Sequence, residues 1–557
     1  MTKFNRIVGV LLLAAISVSL QAQVDYDKYP KASSTYYIQD VYLYQDGQLK
    51  DDLTNIVLKD GFIKEVGRRA KQPDGATVLK FDSMYVYPAF IDVLSHPIKA
   101  EESKEKSKVK FPGLPPDAVA GITPQLEIAK VLKTDGANFD KMRSNGFGIS
   151  QVALDNGMLP GNTNITQLTS ESDDYFITDQ TNQVFQFKGA GGYYPNTIIG
   201  VMAKFRDLYR NAERYSANQG RYQSNSSGAT LPSTSLAVEA LVPMTKRQQT
   251  TFVKTNKKLN NLRAIQLQKE LGFDAVLVNP VDITGIESEI KDSRLPIALS
   301  TSLPKEVEEP KRVKDSIYSE ADLEILEFKE RQYAAYLGRL NLAKAAVEVD
   351  IPVAFALMGD DGSDVKKTLT TLIENGLTEA QAMDALTTTP AKLLKIDNIA
   401  GSIKSGKLSN LMITNKPYFE EKSQIRAVIV GKEVHTYEEK KKSKKSSGEA
   451  INPVGKWEFE LDSPDGANRG KIVIEEDGSS YTVTLSQDED PDDTEVIDNV
   501  TLEDNTMEVE FQINEGSFSA NVEVTLNFID AETVEGSVKY GDFGTFPLKG
   551  SKLSSPE

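Results

Sequence analysis

Residues 84–97, MYVYPAFIDVLSHP, decide the fold of this 557-residue chain. Most of the stretch is apolar or β-branched, and it closes on Asp92, His96 and Pro97. A run of this kind is typical of a buried strand whose last residues present polar side chains at its mouth. The stretch therefore predicts a buried strand with His96 at the rim of a pocket.

The same stretch resembles a signature of the amidohydrolase superfamily. In that family the first barrel strand enters with Pro-Gly-Phe-Ile-Asp and ends in His-x-His, and both histidines bind metal. Here residues 88–92 read PAFID and residues 94–96 read LSH, so Leu94 replaces one of the two histidines. The resemblance implies a TIM-type βα barrel and, in active members, metal-dependent hydrolysis of non-peptide C–N bonds, often in cyclic amides.

Two further stretches resemble the family in the expected order. Residues 56–67, IVLKDGFIKEVG, are two alternating runs hinged at Asp60-Gly61, a strong hairpin signal. Residues 385–394, 401–411 and 428–434 read ALTTTPAKLL, GSIKSGKLSNL and VIVGKEV. Phrases of this kind close the barrel in family members and return the chain to an N-terminal β-sandwich.

From these patterns we predict an α/β chain with a TIM-type βα barrel over residues 88–398. A β-sandwich built from residues 23–87 and 399–437 flanks it. Strand-like and helical runs alternate through the barrel region, as such a fold requires. The predicted strands cover residues 148–154, 251–255, 275–279, 296–301 and 352–357.

The N-terminus predicts a cleaved secretory signal over residues 1–22. Lys3 and Arg6 precede an apolar run at residues 7–20, and small or polar residues follow it. The run is shorter than the roughly 20 residues that a membrane span needs. We expect an exported, soluble protein with no membrane span, which in a Gram-negative cell is periplasmic. The chain has no Cys, which excludes disulfides and thiolate metal sites.

The charge of the chain is unevenly distributed. Residues 450–557 contain 25 Asp and Glu against 6 Lys and Arg, a balance of −19; the total of −17 leaves 56 against 58, or +2, before them. We predict a charged linker at residues 438–449 and an acidic antiparallel β-domain at 450–557, a small barrel or sandwich. Its opening Gly-x-Trp at 455–457 looks like the lipocalin-like domains appended to some exported amidohydrolases. Because an acidic domain of this kind repels the phosphate backbone, we expect no nucleic-acid partner.

The resemblance also implies a metal set: two histidines after the first strand, one from each of two middle strands, sometimes a modified Lys, and an Asp from the last strand. This chain has two histidines, and His435 falls in the returning sandwich strand. The middle strands read TFVKTN at 251–256 and VLVNP at 276–280. His96 is therefore the candidate metal ligand, and Asp360 the candidate catalytic residue.

Other interpretations of these residues stay open. His96 is also interpreted as a hydrogen-bonded residue at a strand end, and Asp360 with Asp361 as a turn or helix cap. A set of His96, Asp92, Asp360 and Asn279 offers mainly oxygen ligands, which suit Mg or Ca.

For function we predict an exported amidohydrolase-like protein that is degenerate at the metal centre and non-catalytic. It binds a small-molecule ligand in the barrel mouth or pairs with an active paralogue. No cofactor is expected, or at most a single divalent metal ion. The alternative is an active C–N hydrolase that uses one unusually coordinated ion or none.

Overall fold

The computed structural model describes residues 34–97, 109–130, 132, 139–170, 176–179, 181–312 and 320–438, and residues 451–553 except 464–465, 478–479, 488–493, 501, 504, 516–517 and 541–543. The predicted signal at 1–22 and the predicted linker, apart from its first residue, lie outside these ranges. The chain divides into two compact units, Met1–Glu438 and Glu439–Glu557. Within the described ranges, every helix is too short or too polar to cross a membrane.

The chain begins with a β-layer that its later part completes. The first six strands are β1 (Thr35–Gln45), β2 (Gln48–Leu49), β3 (Thr54–Lys59), β4 (Phe62–Gly67), β5 (Thr77–Leu79) and β6 (Tyr85–Pro88). Strand β1 pairs with β3 through its first half and with β6 through its second, with an irregularity between Ile38 and Val41. This break lets one long strand serve both halves of the layer, which enclose an apolar core containing Ile38, Val41 and Val86.

The stretch predicted as one strand forms two. Strand β6 ends at Pro88 in the flanking layer, and β7 (Phe90–Ser95) is the first strand of the barrel. Proline has no N–H to continue a ladder, and the next two amides turn to new partners. Ala89 N–H donates to Asn410 O at 2.9 Å, and Phe90 N–H donates to Gly146 O at 2.8 Å.

The barrel consists of eight strands, one of which runs against the others. After β7 follow β8 (Phe147–Val152), β9 (Asn164–Gln167), β10 (Gln183–Gln186), β11 (Thr250–Lys254), β12 (Asp274–Val278), β13 (Ile297–Ser300) and β14 (Val353–Ala356). Strands β7 and β8 are parallel, as are β10 to β14, whereas β9 is antiparallel to β8. An antiparallel bridge from Asn162 to Gln183 joins the two sheets. Met358 N–H donates to Leu94 O at 2.9 Å, which closes the ring.

Helices surround the strands. They are α1 (Phe139–Ser144), α2 (Ile198–Ser224), α3 (Leu236–Ala240), α4 (Val242–Thr245), α5 (Lys258–Leu271), α6 (Glu287–Asp292), α7 (Glu320–Glu348), α8 (Val365–Glu374), α9 (Glu379–Asp384) and α10 (Thr388–Leu393), with a 3-10 turn at Ile128–Lys130. Inward strand residues such as Val93, Phe252 and Ala356 pack together inside the barrel. This packing fills the barrel below its mouth, so functional side chains must lie at the strand ends.

Three strands return the chain to the flanking layer: β15 (Leu411–Thr414), β16 (Ile425–Val430) and β17 (Glu433–Thr436). Strand β15 pairs with β6, so the order across the layer is β17-β16-β15-β6-β1-β3-β4. His435 lies in β17, as the sequence predicted, with Nε2 at 2.9 Å from Glu433 Oε2.

The second unit is an antiparallel sheet of nine strands: β18 (Gly455–Ser463), β19 (Gly466–Asp477), β20 (Ser480–Gln487), β21 (Thr494–Val500), β22 (Leu502–Glu503), β23 (Thr506–Glu515), β24 (Phe518–Phe528), β25 (Thr533–Tyr540) and β26 (Gly544–Lys552). The order is β21-β20-β19-β18-β26-β25-β24-β23-β22. The edge strands β21 and β22 follow each other directly in sequence, so the two edges of the sheet come together. The sheet is therefore rolled around a core that includes Trp457 and Phe528.

Candidate functional site

His96 lies at the barrel mouth, immediately after β7, and both ring nitrogens have partners. Nδ1 lies 3.1 Å from Ala153 O, and Nε2 lies 3.1 Å from Lys254 Nζ. A carbonyl oxygen only accepts, so the ring proton is assigned to Nδ1. Nε2 is then the acceptor, and Lys254 donates to it.

Lys254 ends β11 and connects His96 to a carboxylate. Its Nζ lies 2.8 Å from Asp155 Oδ1, in the segment that follows β8. An ammonium carries three N–H donors, and these two contacts engage two of them. The side chain is 21% exposed, so its ammonium is near the surface of the mouth.

These contacts fix the protonation of the cluster. Burial first, and then the Lys254 charge, lower the pKa of His96 to about 4, so its imidazole is neutral at pH 7. Burial raises the pKa of Asp155, but the hydrogen bond from Lys254 and the nearby charges outweigh it, and the net shift is downward. The cluster is thus a carboxylate and a neutral imidazole joined through the Lys254 ammonium.

Lys188, just beyond β10, adds positive charge at the same place. Its charge lowers the pKa values of both His96 and Asp155, while its own side chain is exposed. Four parallel strands of the ring, β7, β8, β10 and β11, therefore contribute to one cluster at the mouth, which we call the Lys254 cluster: His96, Asp155, Lys188 and Lys254.

Asp92 lies deeper in the barrel and is completely buried. Its Oδ1 accepts from the Leu94 and Leu357 amides at 3.1 and 2.9 Å, and its Oδ2 accepts from Ser150 Oγ at 2.6 Å. Burial raises the pKa of Asp92 to about 6, although these three hydrogen bonds oppose the rise. Asp92 thereby ties β7 to β8 and to the end of β14.

Asp360 and Asp361 have different surroundings. Asp360 is exposed, and its Oδ2 accepts a hydrogen bond from Ser302 Oγ, beyond the end of β13. Asp361 Oδ1 accepts from Ser363 N–H at 2.9 Å, a turn at the entry to α8. Asp361 therefore has a turn role, while Asp360 is a carboxylate at the mouth.

Asn279 follows β12 with a left-handed backbone (φ 54°). Its Oδ1 accepts from Arg339 Nη2 at 3.0 Å. Burial lowers the pKa of Arg339, whose guanidinium also lies near Pro280 O. The amide oxygen of Asn279 is therefore directed at a cation supplied by α7.

The predicted candidates do not gather around one point that suits a metal ion. In the ranges that the structure describes, no three His, Asp or Glu side chains are grouped closely enough to hold an ion. The unprotonated ring nitrogen of His96, Nε2, is the atom that could bind a metal, but it accepts a hydrogen bond from Lys254. Asn279 Oδ1 accepts one from Arg339. The residues present therefore do not fit the metal set that the resemblance implies.

The sequence pointed to His96 as a candidate, but not to Lys254 or to Asp155, which pairs with Lys254. Lys254 lies in the predicted strand TFVKTN at residues 251–256. The alternation of side chains along that strand indicates its direction. Phe252 packs inside the barrel, so Lys254, two residues later, points to the same side. Asp155 lies in a loop whose path depends on the fold, and its spacing to Lys254 gave no signal.

Comparisons with known proteins support the fold. No family model matches the chain, and no curated protein sequence matches it. An amidohydrolase from Thermotoga maritima MSB8 superimposes with a TM-score of 0.58 at 15% identity, over 72% of this chain and 99% of that one. A Xaa-Pro dipeptidase with bound methionine gives 0.42 at 15% identity, over 72% and 100%, and phenylurea hydrolase B gives 0.41 at 12%, over 72% and 96%. With the barrel and its flanking layer, the first of these superpositions shows that this chain has the amidohydrolase fold.

Proposed function

We propose that this protein binds a small carboxylate-bearing molecule at the barrel mouth without the help of a metal ion. The observation that carries the proposal is the contact of 3.1 Å between Lys254 Nζ and His96 Nε2. An ammonium at this place supplies the positive charge that the related enzymes obtain from a metal. It also repels a divalent cation.

The charges of the Lys254 cluster favour an anionic ligand. Two ammonium groups, Lys188 and Lys254, stand against the single carboxylate of Asp155, and His96 is neutral at pH 7. The third N–H of Lys254 is available for a ligand. A carboxylate is the small anionic group that a lysine recognises as a point charge.

The proposal places the chain among the non-catalytic members of its fold. Hydrolysis by a metal-bound water needs ligands that hold the ion, and His96 offers its ring nitrogen to Lys254 instead. The ligand is then held rather than cleaved. After export, the protein either captures this ligand by itself or binds it in a complex with an active paralogue.

A second candidate function is hydrolysis of a C–N bond with one unusually coordinated ion or with none. Asp360 favours it, because its carboxylate is exposed at the mouth beside Ser302. In that case Asp360 is the general base that activates water. The related phenylurea hydrolase B and Xaa-Pro dipeptidase indicate the kind of bond that is worth testing.

Metal analysis of the purified protein separates the two functions. We expect no stoichiometric Zn, Mn or Fe, and no loss of metal on His96→Ala. Near-stoichiometric metal that disappears in His96→Ala would sink the metal-free proposal.

Calorimetric titration with succinate and N-acetylglycine tests the ligand class. We expect Lys254→Met to weaken binding about tenfold or more, since a charge-assisted hydrogen bond contributes roughly 1.5–3 kcal/mol. The matched control is Lys291→Met, which removes a lysine paired with Asp350 at the surface. Equal affinities in the two variants would contradict the assignment to the mouth.

Export is part of the same proposal and has its own test. Residues 1–22 have the composition of a secretory signal. Fractionation of cells that produce the full chain should place the protein in the periplasm. A variant with Leu11→Arg and Leu12→Arg should stay in the cytoplasm, because the interrupted apolar run no longer enters the export machinery.

A further inference from the structure

The first half of α7 has apolar side chains on two different sides. Leu326 is buried, and Glu330 on the same side accepts hydrogen bonds from Arg312 at 2.6 and 2.8 Å. Ile325 and Phe328, by contrast, are 55% and 53% exposed. One side of the helix therefore packs on its own unit, while the other leaves two large apolar side chains uncovered. Exposed apolar residues that lie together mark an interaction surface.

These two residues belong to a line of exposed side chains along the helix, which we call the α7 seam: Ile325, Phe328, Gln332 and Ala335. They are spaced by three, four and three residues, so they share one face of the helix. The same spacing forms the contact line of two-helix coiled coils. Leu326 lies about 100° around the helix from Ile325, on the packed side. The α7 seam therefore has the geometry to receive a second helix.

Charged residues flank the α7 seam in an order that is complementary to itself. On one flank Glu324 is followed seven residues later by Arg331, and on the other Asp322 is followed seven residues later by Lys329. All four side chains are exposed. Arg331 also lies 3.8 Å from Glu327 in its own helix, yet its side chain remains 68% exposed and accessible. Each flank therefore runs from an acidic to a basic group, and a second copy of the face, turned around, presents the opposite charge at each end.

The apolar contacts and the charges specify the same register. An antiparallel pair in which Ile325 packs against Phe328 of the second copy also places Glu324 opposite Arg331 of that copy, because the centres of the two pairs lie within about one residue of each other. The other flank pairs in the same way. A parallel pair engages only Glu324 with Lys329 and thus uses half as many of the charges. The charges therefore favour the antiparallel arrangement.

We propose that the α7 seam is the interface of a homodimer, in which α7 packs antiparallel against α7 of a second copy of this chain. A two-fold axis crosses the seam between Ile325 and Phe328, so every contact occurs twice. The face itself specifies a second copy as the partner, because its apolar line and both charged flanks match their own rotated images. The proposal does not depend on the function assigned to the barrel mouth.

Sedimentation velocity over a concentration series tests the interface on the full chain. We expect the wild type to dimerise. Phe328→Glu should raise the dimer Kd at least about a hundredfold, because the two-fold axis places two unpaired carboxylates in the seam. The matched control is Leu231→Glu, which changes a residue that is 66% exposed in the loop between α2 and α3 and should leave the Kd unchanged.

An exchange of charge tests the antiparallel register. Glu324→Arg and Arg331→Glu should each weaken the dimer about tenfold, since like charges then face each other twice. An equimolar mixture of the two variants should recover most of the wild-type affinity as a heterodimer. The arginine introduced in one chain then faces the glutamate introduced in the other, and the unchanged residues form the remaining pair. Far-UV circular dichroism of the variants should match that of the wild type, because the changed residues are exposed.

Three results would overturn the proposal. They are a monomeric wild type at every concentration, equal dimer Kd values in wild type and Phe328→Glu, and a mixture of the charge variants that is no more dimeric than either variant alone. A parallel pair would give the last of these results, because it does not bring Glu324 to Arg331.

Discussion

Lys254 controls the ionisation of His96 as well as its contacts. After burial, the Lys254 charge is the largest influence that lowers the pKa of His96 to about 4. We therefore expect Lys254→Met to raise the His96 pKa toward its ordinary value of 6.5. The chain has only two histidines, so an NMR titration of the imidazole resonances resolves both.

The control for this titration is a second lysine, whose effect on the His96 pKa is smaller than that of Lys254. Lys188 also lowers the His96 pKa, but it is the weakest of the named influences. Lys188→Met should therefore raise the pKa less than Lys254→Met does. A His96 pKa that is unchanged in Lys254→Met would show that the amine does not face the ring in solution.

Asp92 and His96 make stability depend on pH in opposite directions. Asp92 has a folded pKa of about 6, above its ordinary 3.8, so its contribution is complete below pH 3.8 and is lost as pH rises through 6. His96 has a folded pKa of about 4, below 6.5, so its contribution is present above pH 6.5 and is lost as pH falls through 4. Between pH 4 and 6 the two trends offset each other.

Asp92→Asn should remove one of these trends. The amide keeps an oxygen for the Leu94 and Leu357 N–H groups but does not titrate. The unfolding free energy of the variant should therefore rise between pH 4 and 6.5 by on the order of 3 kcal/mol, where the wild type is nearly flat. Urea denaturation at several pH values, followed by far-UV circular dichroism, measures it. A profile parallel to that of the wild type would contradict the role given to Asp92.

The candidate site was only partly predictable, for a physical reason. His96 could be found because a strand end fixes its place from local sequence alone. Its partners come from loops and strands about 57 and 158 residues away, as the contacts to Ala153 and Lys254 show. Contacts at such separations follow from the ring of strands, and no short pattern encodes them.

The strands of the barrel were predictable to different degrees. Strands β8 and β11 to β14 are apolar runs, and their predicted ranges lie within about two residues of the observed ones. Strand β9, with the sequence NITQ, and β10, with QVFQ, have the polar residues of a loop and were missed. They are held by buried amides: Gln151 Oε1 accepts from Thr163 Oγ1 at 2.9 Å and from Asn182 Nδ2 at 2.7 Å. Buried polar residues are tolerated in a barrel where such hydrogen bonds hold them, and only the fold reveals these contacts.

The departure from the family phrase at Ala89 is matched on the neighbouring strand. A Cβ placed on Gly148 of β8 would lie 2.8 Å from Ala89 Cβ. Only one of the two positions can therefore carry a methyl group without movement of the strands. The chain has Ala immediately before the first barrel strand, where the family has Gly, and it has Gly148 opposite on β8.

Exchange of the two residues tests this explanation. Gly148→Ala should lower the unfolding free energy by about 1–3 kcal/mol, the usual cost of overpacking. Adding Ala89→Gly to that variant should recover most of the loss, although Ala89→Gly alone should be mildly destabilising. A double-mutant cycle in urea measures the coupling. Additive effects of the two changes would rule out the contact.

Across the whole chain, charge separates two regions that also differ in structure. Residues 450–557 contain 25 acidic and 6 basic residues. They make up most of the second compact unit, Glu439–Glu557. Composition identifies the acidic region because a local excess of Asp and Glu can be counted directly from the sequence, without knowledge of contacts between distant residues. The rolled order of its strands, by contrast, depends on pairings between β18 and β26 that the sequence does not display.

The acidic unit should respond to salt. Residues 450–557 of this unit carry a net charge of −19, which makes the folded form repel itself, and salt shortens the range of that repulsion from roughly 30 Å at 0.01 M to 8 Å at 0.15 M. The only Trp of the chain, Trp457, is fully buried in this unit and lies against Phe528, so its fluorescence reports unfolding of this unit. The urea midpoint seen by fluorescence should therefore rise with NaCl.

Two exposed residues of β19 show whether charge causes the effect. Glu475→Gln reduces the net charge to −18 and should raise the midpoint at low salt, whereas Lys471→Gln increases it to −20 and should lower the midpoint. Each change should alter the unfolding free energy by about 0.5 kcal/mol, as is usual for exposed charges. Both differences should shrink in NaCl, because the salt screens the repulsion on which they depend. Shifts in the same direction for the two variants would show that local strand contacts, rather than net charge, limit the stability of this unit.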